Sequence, residues 1–484
     1  MLTVCSLLAT AICMSSEYHG FARTDFKLDR FDAILVAPKT PAKGKPWIWR
    51  TEFFDHRPEL DLALLNKGFH MAYVDIQNEY GSPGAIYQYD RFYRLLVNEH
   101  KLSPKVVLEG FSRGGLSAYN WAAANPDKVM AIYADAPVCD FRSWPRKSSA
   151  QDWTQLKAAY GFPSEQDALD YPLGPIGKLE VLAKARVPLI HVVGTADDVV
   201  PVSENTDLLE QSYRRLGGEI KVIRKPGVGH HPHSLEDPRP IVEFILRNQG
   251  NSRKSPPATL IPAPNPESRY LSAGWRSSWL QQHADAIEAS RANPQLVLIG
   301  DSITQGWGGP GRNVGAVAGD AYGRYLAPFR AVNMGMSGDR TQHALWRIDH
   351  GALDHSRPEA IAILIGVNNL NSDSPMAIVR GVEAVALKVR RKQPEAKVVL
   401  HALFPVGATP SDPRRALVKE VNEGLAAIAK RHKLLWLDLT TDFTHPDGSV
   451  NWDRMSSDAL HLRQGGYEVW GQRISELLRQ TELR

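Results

Sequence analysis

Two serines in this 484-residue chain stand in settings that suit nucleophilic chemistry. Ser112 lies in Gly110-Phe111-Ser112-Arg113-Gly114, between an apolar run and a stretch of helical periodicity. Ser302 lies in Gly300-Asp301-Ser302, also at the end of an apolar run. A hydroxyl attacks an acyl carbon effectively only when a base takes its proton and an acid orients that base. Each serine has its own Asp and His downstream, so acyl transfer is the chemistry each set can perform. Two sets in separate halves predict two sites on one polypeptide.

For the first set, a buried strand over 105–109 and a helix over 116–124 put Ser112 on the sharp turn between them, with Gly110 and Gly114 where a side chain would obstruct strand-to-helix packing. The Arg113 amide then falls at a helix N-terminus, where partial positive charge can stabilise an oxyanion. A second donor is expected from Arg50-Thr51-Glu52, with Thr51 the candidate. The acid comes from a loop that carries Asp197 and Asp198 after a strand over 189–193. The base comes from Gly229-His230-His231-Pro232-His233. Those three histidines also suit a metal, but no cysteine or further histidine-rich partner accompanies them.

The order Ser, Asp, His in these strand-end contexts resembles the α/β-hydrolase family over residues from about 20 to 249. The resemblance implies Ser112 as nucleophile, Asp197 as acid and His230 as base, with Asp198, His231 and His233 as the competing choices. The Ser112-Arg113 pair is similar to the G-C-S-R elbow of glucuronoyl esterases, with Phe111 in place of the cysteine. Residues 141–175, with Trp144, Trp153 and Tyr160, interrupt the regular alternation and read as an insertion, either a lid or its own small core.

The second set is distributed differently. Gly300-Asp301-Ser302 opens its half, followed in order by 333–339 (NMGMSGD), Gly366-Val367-Asn368-Asn369 and Asp458-Ala459-Leu460-His461. This series resembles the SGNH (GDSL-type) hydrolases, and 335–462 is most similar to the platelet-activating-factor acetylhydrolase catalytic subunits. The resemblance implies Ser302 as nucleophile, His461 as base and Asp458 as its orienting acid. The amides of Ser302 and Gly338 and the side chain of Asn368 would donate to the oxyanion. His343 and His401 are expected to serve packing or support, and Trp307, close to Ser302, either to line an acyl pocket or to pack.

These loops need rigid elements beneath them. Short apolar runs alternate with longer amphipathic ones in both halves, the pattern of a parallel sheet covered by helices on both faces. Strands are expected over 33–37, 47–50, 71–74, 106–109, 130–133, 189–193 and 220–223, then over 296–299, 331–334, 360–365, 397–403 and 434–437. Every motif falls at the carboxyl end of a strand, where ligands of such sheets bind. The expected organisation is two tandem three-layer α/β/α domains: an α/β-hydrolase over 17–249 and an SGNH hydrolase, flavodoxin-like, over 269–484. Between them, 250–268 contains five prolines and reads as a semi-stiff linker.

With 43% hydrophobic and 23% charged residues, the chain has the balance of a folded protein too long for one ordinary core. A net charge of +4 without a run of basic residues argues against a nucleic-acid partner. Residues 2–14 are apolar and end in small residues, so 1–16 reads as a signal peptide and the destination as secreted or periplasmic. Thirteen residues are too few to span a bilayer, so no stable membrane insertion is expected. Once that leader is gone only Cys139 of the three cysteines remains, which excludes a disulfide framework. The sum is a serine carboxylesterase with two independent sites and no metal or organic cofactor, removing O-acetyl or related groups from a polysaccharide such as acetylated xylan. The competing readings are a feruloyl or glucuronoyl ester at the first site, a substrate-binding role for one half, or a lipid esterase.

Overall fold

The computed structural model describes residues 14–249, 256–265 and 278–481. The chain divides into two compact units, Met1–Ser255 and Pro256–Arg484.

The first unit is built on nine strands: β1 (Met14–Tyr18), β2 (Phe21–Leu28), β3 (Phe31–Ala37), β4 (Trp47–Arg50), β5 (His70–Val74), β6 (Val106–Phe111), β7 (Val129–Asp135), β8 (Leu189–Gly194) and β9 (Ile220–Lys225). They lie side by side in the order β1-β2-β3-β5-β4-β6-β7-β8-β9. From β5 onward all neighbours are parallel, joined by crossover helices. The expected wholly parallel sheet is corrected at the other edge, where β1, β2, β3 and β5 pair antiparallel. β1 and β2 carry no apolar run, because Arg23, Asp25 and Lys27 alternate along a face that is not fully buried while Phe26 and Leu28, on the opposite face, are buried. His19 and Gly20, both at positive φ, close that hairpin in two residues.

Residues 1–13 of the expected leader lie outside the described residues. Met14 to Ser16, which that reading also included, form part of β1, with Met14 opposite Asp25.

The second unit has five strands, β10 (Leu296–Gly300), β11 (Val332–Asn333), β12 (Ala360–Leu364), β13 (Lys397–His401) and β14 (Leu435–Leu437). All are parallel and ordered β11-β10-β12-β13-β14. The chain reverses its winding direction beside β10, and the loop after that strand carries Ser302.

The proline-rich stretch is not simply a spacer. Ala258, Thr259, Ile261, Ala263 and Asn265 are buried within the second unit. The Thr259 carbonyl accepts from Thr341 Oγ1 (3.1 Å), and the Ala263 amide donates to the Gln342 carbonyl (3.1 Å). Residues 256–265, with one 3-10 turn at Ala258–Leu260, lie along the helix Thr341–Asp349, so this part of the linker expected over 250–268 belongs to the second unit. Among the described residues no helix is long and apolar enough to cross a membrane.

Candidate active sites

In the first unit, β6 delivers Ser112 into a left-handed conformation with φ 47°. A non-glycine residue stays there only when its surroundings fix it. The Ser112 amide donates to the Asp135 carbonyl (2.9 Å), while its own carbonyl accepts from Gly115 (3.0 Å) and Val138 (2.9 Å). A Cβ on Gly110 would come within 2.9 Å of the Gly114 carbonyl oxygen, and one on Gly114 within 2.9 Å of Thr51 Oγ1, so the tight packing read from the motif is present.

Ser112 Oγ lies 3.0 Å from His230 Nε2, and His230 Nδ1 lies 2.8 Å from Asp197 Oδ2. Asp197 Oδ1 accepts from the amides of Val199 (3.0 Å) and Val200 (2.8 Å), so both carboxylate oxygens are committed. The competing choices part from this chain. Asp198 has no part in it; His231 is exposed; His233 is buried against a different carboxylate, with Nδ1 2.7 Å from Asp135 Oδ1.

Arg113 begins the turn into the helix Gly114–Ala124, and its amide has no acceptor among the described residues. Thr51 is corrected as the second oxyanion donor. Its amide donates to the Glu109 carbonyl (3.0 Å), and its hydroxyl is spent on the carbonyls of Glu109 and Gly114 (3.0 Å each). The amides of Glu52 and Phe53 nearby have no acceptor among the described residues and stand at the start of a loop in which Phe53, Asp55 and Arg57 all have positive φ. That loop stands on a fully buried guanidinium. Arg50 donates to the carbonyls of Phe53 (3.0 Å) and His56 (2.7 Å), and it pairs with Asp61 (2.7 Å) and Glu109 (3.1 Å) beneath the Phe111 ring. Sequence reasoning placed Arg50 beside the site but missed this role, which its position at the end of a buried strand could have signalled. Burial pushes the Glu52 carboxyl up to about 7, against the pull of the Arg113 guanidinium 3.3 Å away. The insertion 141–175 packs Phe141, Trp153, Tyr160, Phe162 and Tyr171 into an aromatic cluster of its own.

In the second unit, Ser302 opens a one-turn helix whose N-cap is Asp301. Ser302 Oγ lies 2.8 Å from His461 Nε2, and His461 Nδ1 lies 2.6 Å from Asp458 Oδ2. Asp458 Oδ1 accepts from the amides of Leu460 and His461 (3.0 Å each) and from Ser456 Oγ (2.5 Å). Burial opposes ionisation, yet those hydrogen bonds hold Asp458 well below the usual carboxylate range. The amides of Ser302 and Gly338 have no acceptor among the described residues, and Gly338 sits at φ 76°, where glycine is favoured. Asn368 Nδ2 spends one hydrogen on the Asp339 carbonyl (3.0 Å), leaving the other to donate.

Asp339, next to Gly338, is buried and receives Trp279 Nε1 (2.8 Å), Asn265 Nδ2 (3.2 Å) and Arg347 (2.8 Å). The proline-rich strap therefore reaches the support of the oxyanion loop. His343 Nδ1 accepts from the Arg340 amide (3.0 Å), and His401 and Trp307 are buried against Trp470, so all three have packing or supporting roles.

Burial pushes the Asp301 carboxyl from 3.8 up to about 7, and its Oδ2 has no hydrogen-bond partner among the described residues. A carboxyl raised on folding stabilises the fold fully below its unfolded value, and that contribution is lost as pH rises through its folded value. Replacing it with Asn keeps the acceptor that caps Ile303 (3.0 Å) and removes the ionisation. Asp301→Asn is therefore expected to raise the thermal inactivation midpoint of Ser302-dependent hydrolysis by several degrees at pH 8, and by much less at pH 5. An equal gain at both pH values would contradict the buried-acid account.

Residues 298–469 match the GDSL-like lipase/acylhydrolase family, and residues 92–251 match the prolyl oligopeptidase family. Rat platelet-activating factor acetylhydrolase IB subunit alpha1 is 34% identical over 191 residues, 39% of this chain and 77% of that protein. A GDSL-like lipase from Bacteroides thetaiotaomicron is 17% identical, with a TM-score of 0.35 over 42% of this chain and 100% of its own. Acylaminoacyl peptidase from Pyrococcus horikoshii is 15% identical, with a TM-score of 0.38 over 50% of this chain and 42% of its own. The chain is a hydrolase that belongs, through its second unit, to the GDSL-like lipase/acylhydrolase family, and it carries that unit behind an α/β-hydrolase of the type matched by the prolyl oligopeptidase family.

Proposed function

We propose that both units are active serine esterases working through separate acyl-enzymes, and that they remove acetyl or related acyl groups from polysaccharide. The observation that carries this is the pair of unbroken chains, Ser112–His230–Asp197 and Ser302–His461–Asp458, each in its own unit. In each, the imidazole can take the serine proton during attack and return it to the leaving alcohol. Arg113 with Glu52 or Phe53, and Ser302 with Gly338 and Asn368, supply the oxyanion donors. Kinship with an acetylhydrolase supports a small acyl group at Ser302. The apolar segment 2–14 supports export, and tethering would hold two esterases on the same sugar chain.

The prolyl oligopeptidase match favours one other reading of the first unit, cleavage of aminoacyl amide bonds. Ser112→Ala, Ser302→Ala and the double variant, assayed on acetylated xylan, methyl ferulate and an aminoacyl p-nitroanilide, decide between them. The expected result is that each single variant retains part of the acetate release from xylan and the double variant retains none. Loss of all xylan activity in one single variant and none in the other would overturn the two-esterase reading. Anilide turnover that disappears with Ser112 would establish a peptidase beside an esterase.

A further inference from the structure

Four histidines crowd one end of the first unit's sheet, and the triad uses only one of them. Both nitrogens of His230 are engaged, by Ser112 and by Asp197. His56, His231 and His233 are left, and each offers a ring nitrogen such that the three atoms lie within 4.8 Å of one another. Their rings meet edge to face, with centroids 6.2 Å apart for His56 and His231, 5.6 Å for His56 and His233, and 4.7 Å for His231 and His233. The partner that the local sequence lacked is His56, supplied by the loop after β4.

We propose that His56, His231 and His233 bind a divalent transition-metal ion, zinc or a cation of similar preference, in a site distinct from the serine triad. Three observations converge on this. The donor set is three imidazoles, the protein ligands of an open zinc site. His233 is buried with Nδ1 held 2.7 Å from Asp135 Oδ1, which leaves Nε2 as the nitrogen available to a metal; a carboxylate behind the imidazole fixes the tautomer and raises the basicity of the binding nitrogen. Asp135 is itself fixed by the Ser234 amide (2.8 Å) and the Tyr133 hydroxyl (3.1 Å), so one ligand is preorganised before any ion arrives. Tetrahedral Zn–N bonds of about 2.0–2.1 Å require donor separations of about 3.3 Å. The spread of up to 4.8 Å is wider, so binding requires the rings of His56 and His231, both exposed, to draw closer to His233.

The site's position gives it a consequence. His56 belongs to the loop that Arg50 anchors and that offers the second oxyanion donor, whereas His231 and His233 follow the triad base in the chain. An ion bound by all three would tie those two loops together beside His230, whose ring centroid is 5.1 Å from that of His231 and 4.8 Å from that of His233.

The test uses the full-length chain without a histidine tag. Titration of metal-free protein with Zn2+ in a calorimeter is expected to show one equivalent that His56→Ala and His231→Ala each weaken by at least about 100-fold, whereas His230→Ala retains it. Asp135→Asn is expected to cost about 10–100-fold. Co2+ at the same site should give the intense visible absorption of a four-coordinate ion. Hydrogen exchange should slow in 51–57 and 229–234 on metal addition, in wild type and not in His56→Ala. Wild-type affinity in both His56→Ala and His231→Ala, or no binding at about 100 µM Zn2+, overturns the proposal.

Discussion

Asp197→Asn is expected to lower kcat at the Ser112 site by about ten-thousand-fold with little change in KM. The size of the effect comes from hydrogen-bond bookkeeping. Asp197 Oδ1 accepts from two backbone amides, so an Asn placed there must present its oxygen to Val199 and Val200 and its NH2 group to His230. An NH2 facing Nδ1 forces the imidazole to carry its proton on Nε2, against Ser112 Oγ, in the tautomer that cannot serve as base. The side chains of Asp197 and His230 are almost wholly shielded, so water cannot easily restore the other tautomer. Stopped-flow measurement of acylation with an activated acetate ester, in an Ser302→Ala background, reads this step alone. A loss under about tenfold would mean that Asp197 does not orient the base.

Asp458→Asn makes an instructive control. The same logic applies, since Asp458 Oδ1 is held by the Leu460 and His461 amides, but the Asp458 side chain is 49% exposed and that of His461 41%. Solvent can hydrate Nδ1 and recover part of the productive tautomer, which places the loss nearer about 100-fold, the lower end for general-base catalysis. One substitution with two magnitudes separates the effect of the acid from the effect of its burial.

What was legible in the sequence was whatever depends on neighbours along the chain. Gly110 and Gly114 announce the turn at Ser112 because close packing excludes their side chains, and the central strands announce themselves because burial on both faces demands continuous apolar runs. The order of the blocks sufficed to pick Asp197 and His230, which the structure brings within hydrogen-bond distance of Ser112 through His230. Most of the misses depend on partners distant along the chain. Thr51 was reasoned from its position after β4, but whether its amide is free depends on pairing with Glu109, fifty-eight residues away in sequence. β1 and β2 escaped because an edge hairpin with one polar face has no apolar run to detect. His56 joins His231 and His233 only once β4 and β9 lie on the same sheet. The prolines at 256–264 looked like a spacer because composition reports backbone stiffness and says nothing of what the stiff segment lies against.

Arg50→Met is expected to destabilise the first unit by about 3–5 kcal/mol, the cost of removing one partner from a buried ion pair. Arg50, Asp61 and Glu109 are all fully buried, so the methionine would leave two carboxyls without a cation and the carbonyls of Phe53 and His56 without a donor. Burial already pushes Glu109 well above the usual carboxylate range even against the pull of Arg50, so without that cation one or both acids must take up a proton or draw in water. Arg50→Lys keeps the charge but not the fork: a single ammonium cannot meet two carboxylates and two carbonyls at once, so most of the loss should persist. Denaturant unfolding followed by hydrogen exchange in peptides covering 51–57 and 106–111 measures it, with the second unit's peptides as an internal reference. Adding Asp61→Asn and Glu109→Gln to Arg50→Met should recover a large part of the stability, because the uncompensated charge is then gone. It should not recover hydrolysis at Ser112, because the loop of Phe53 and His56 would still lack its post. A triple variant that regained both would show that the guanidinium balances charge without holding the loop, and a single variant within about 1 kcal/mol of wild type would show that the cluster does neither.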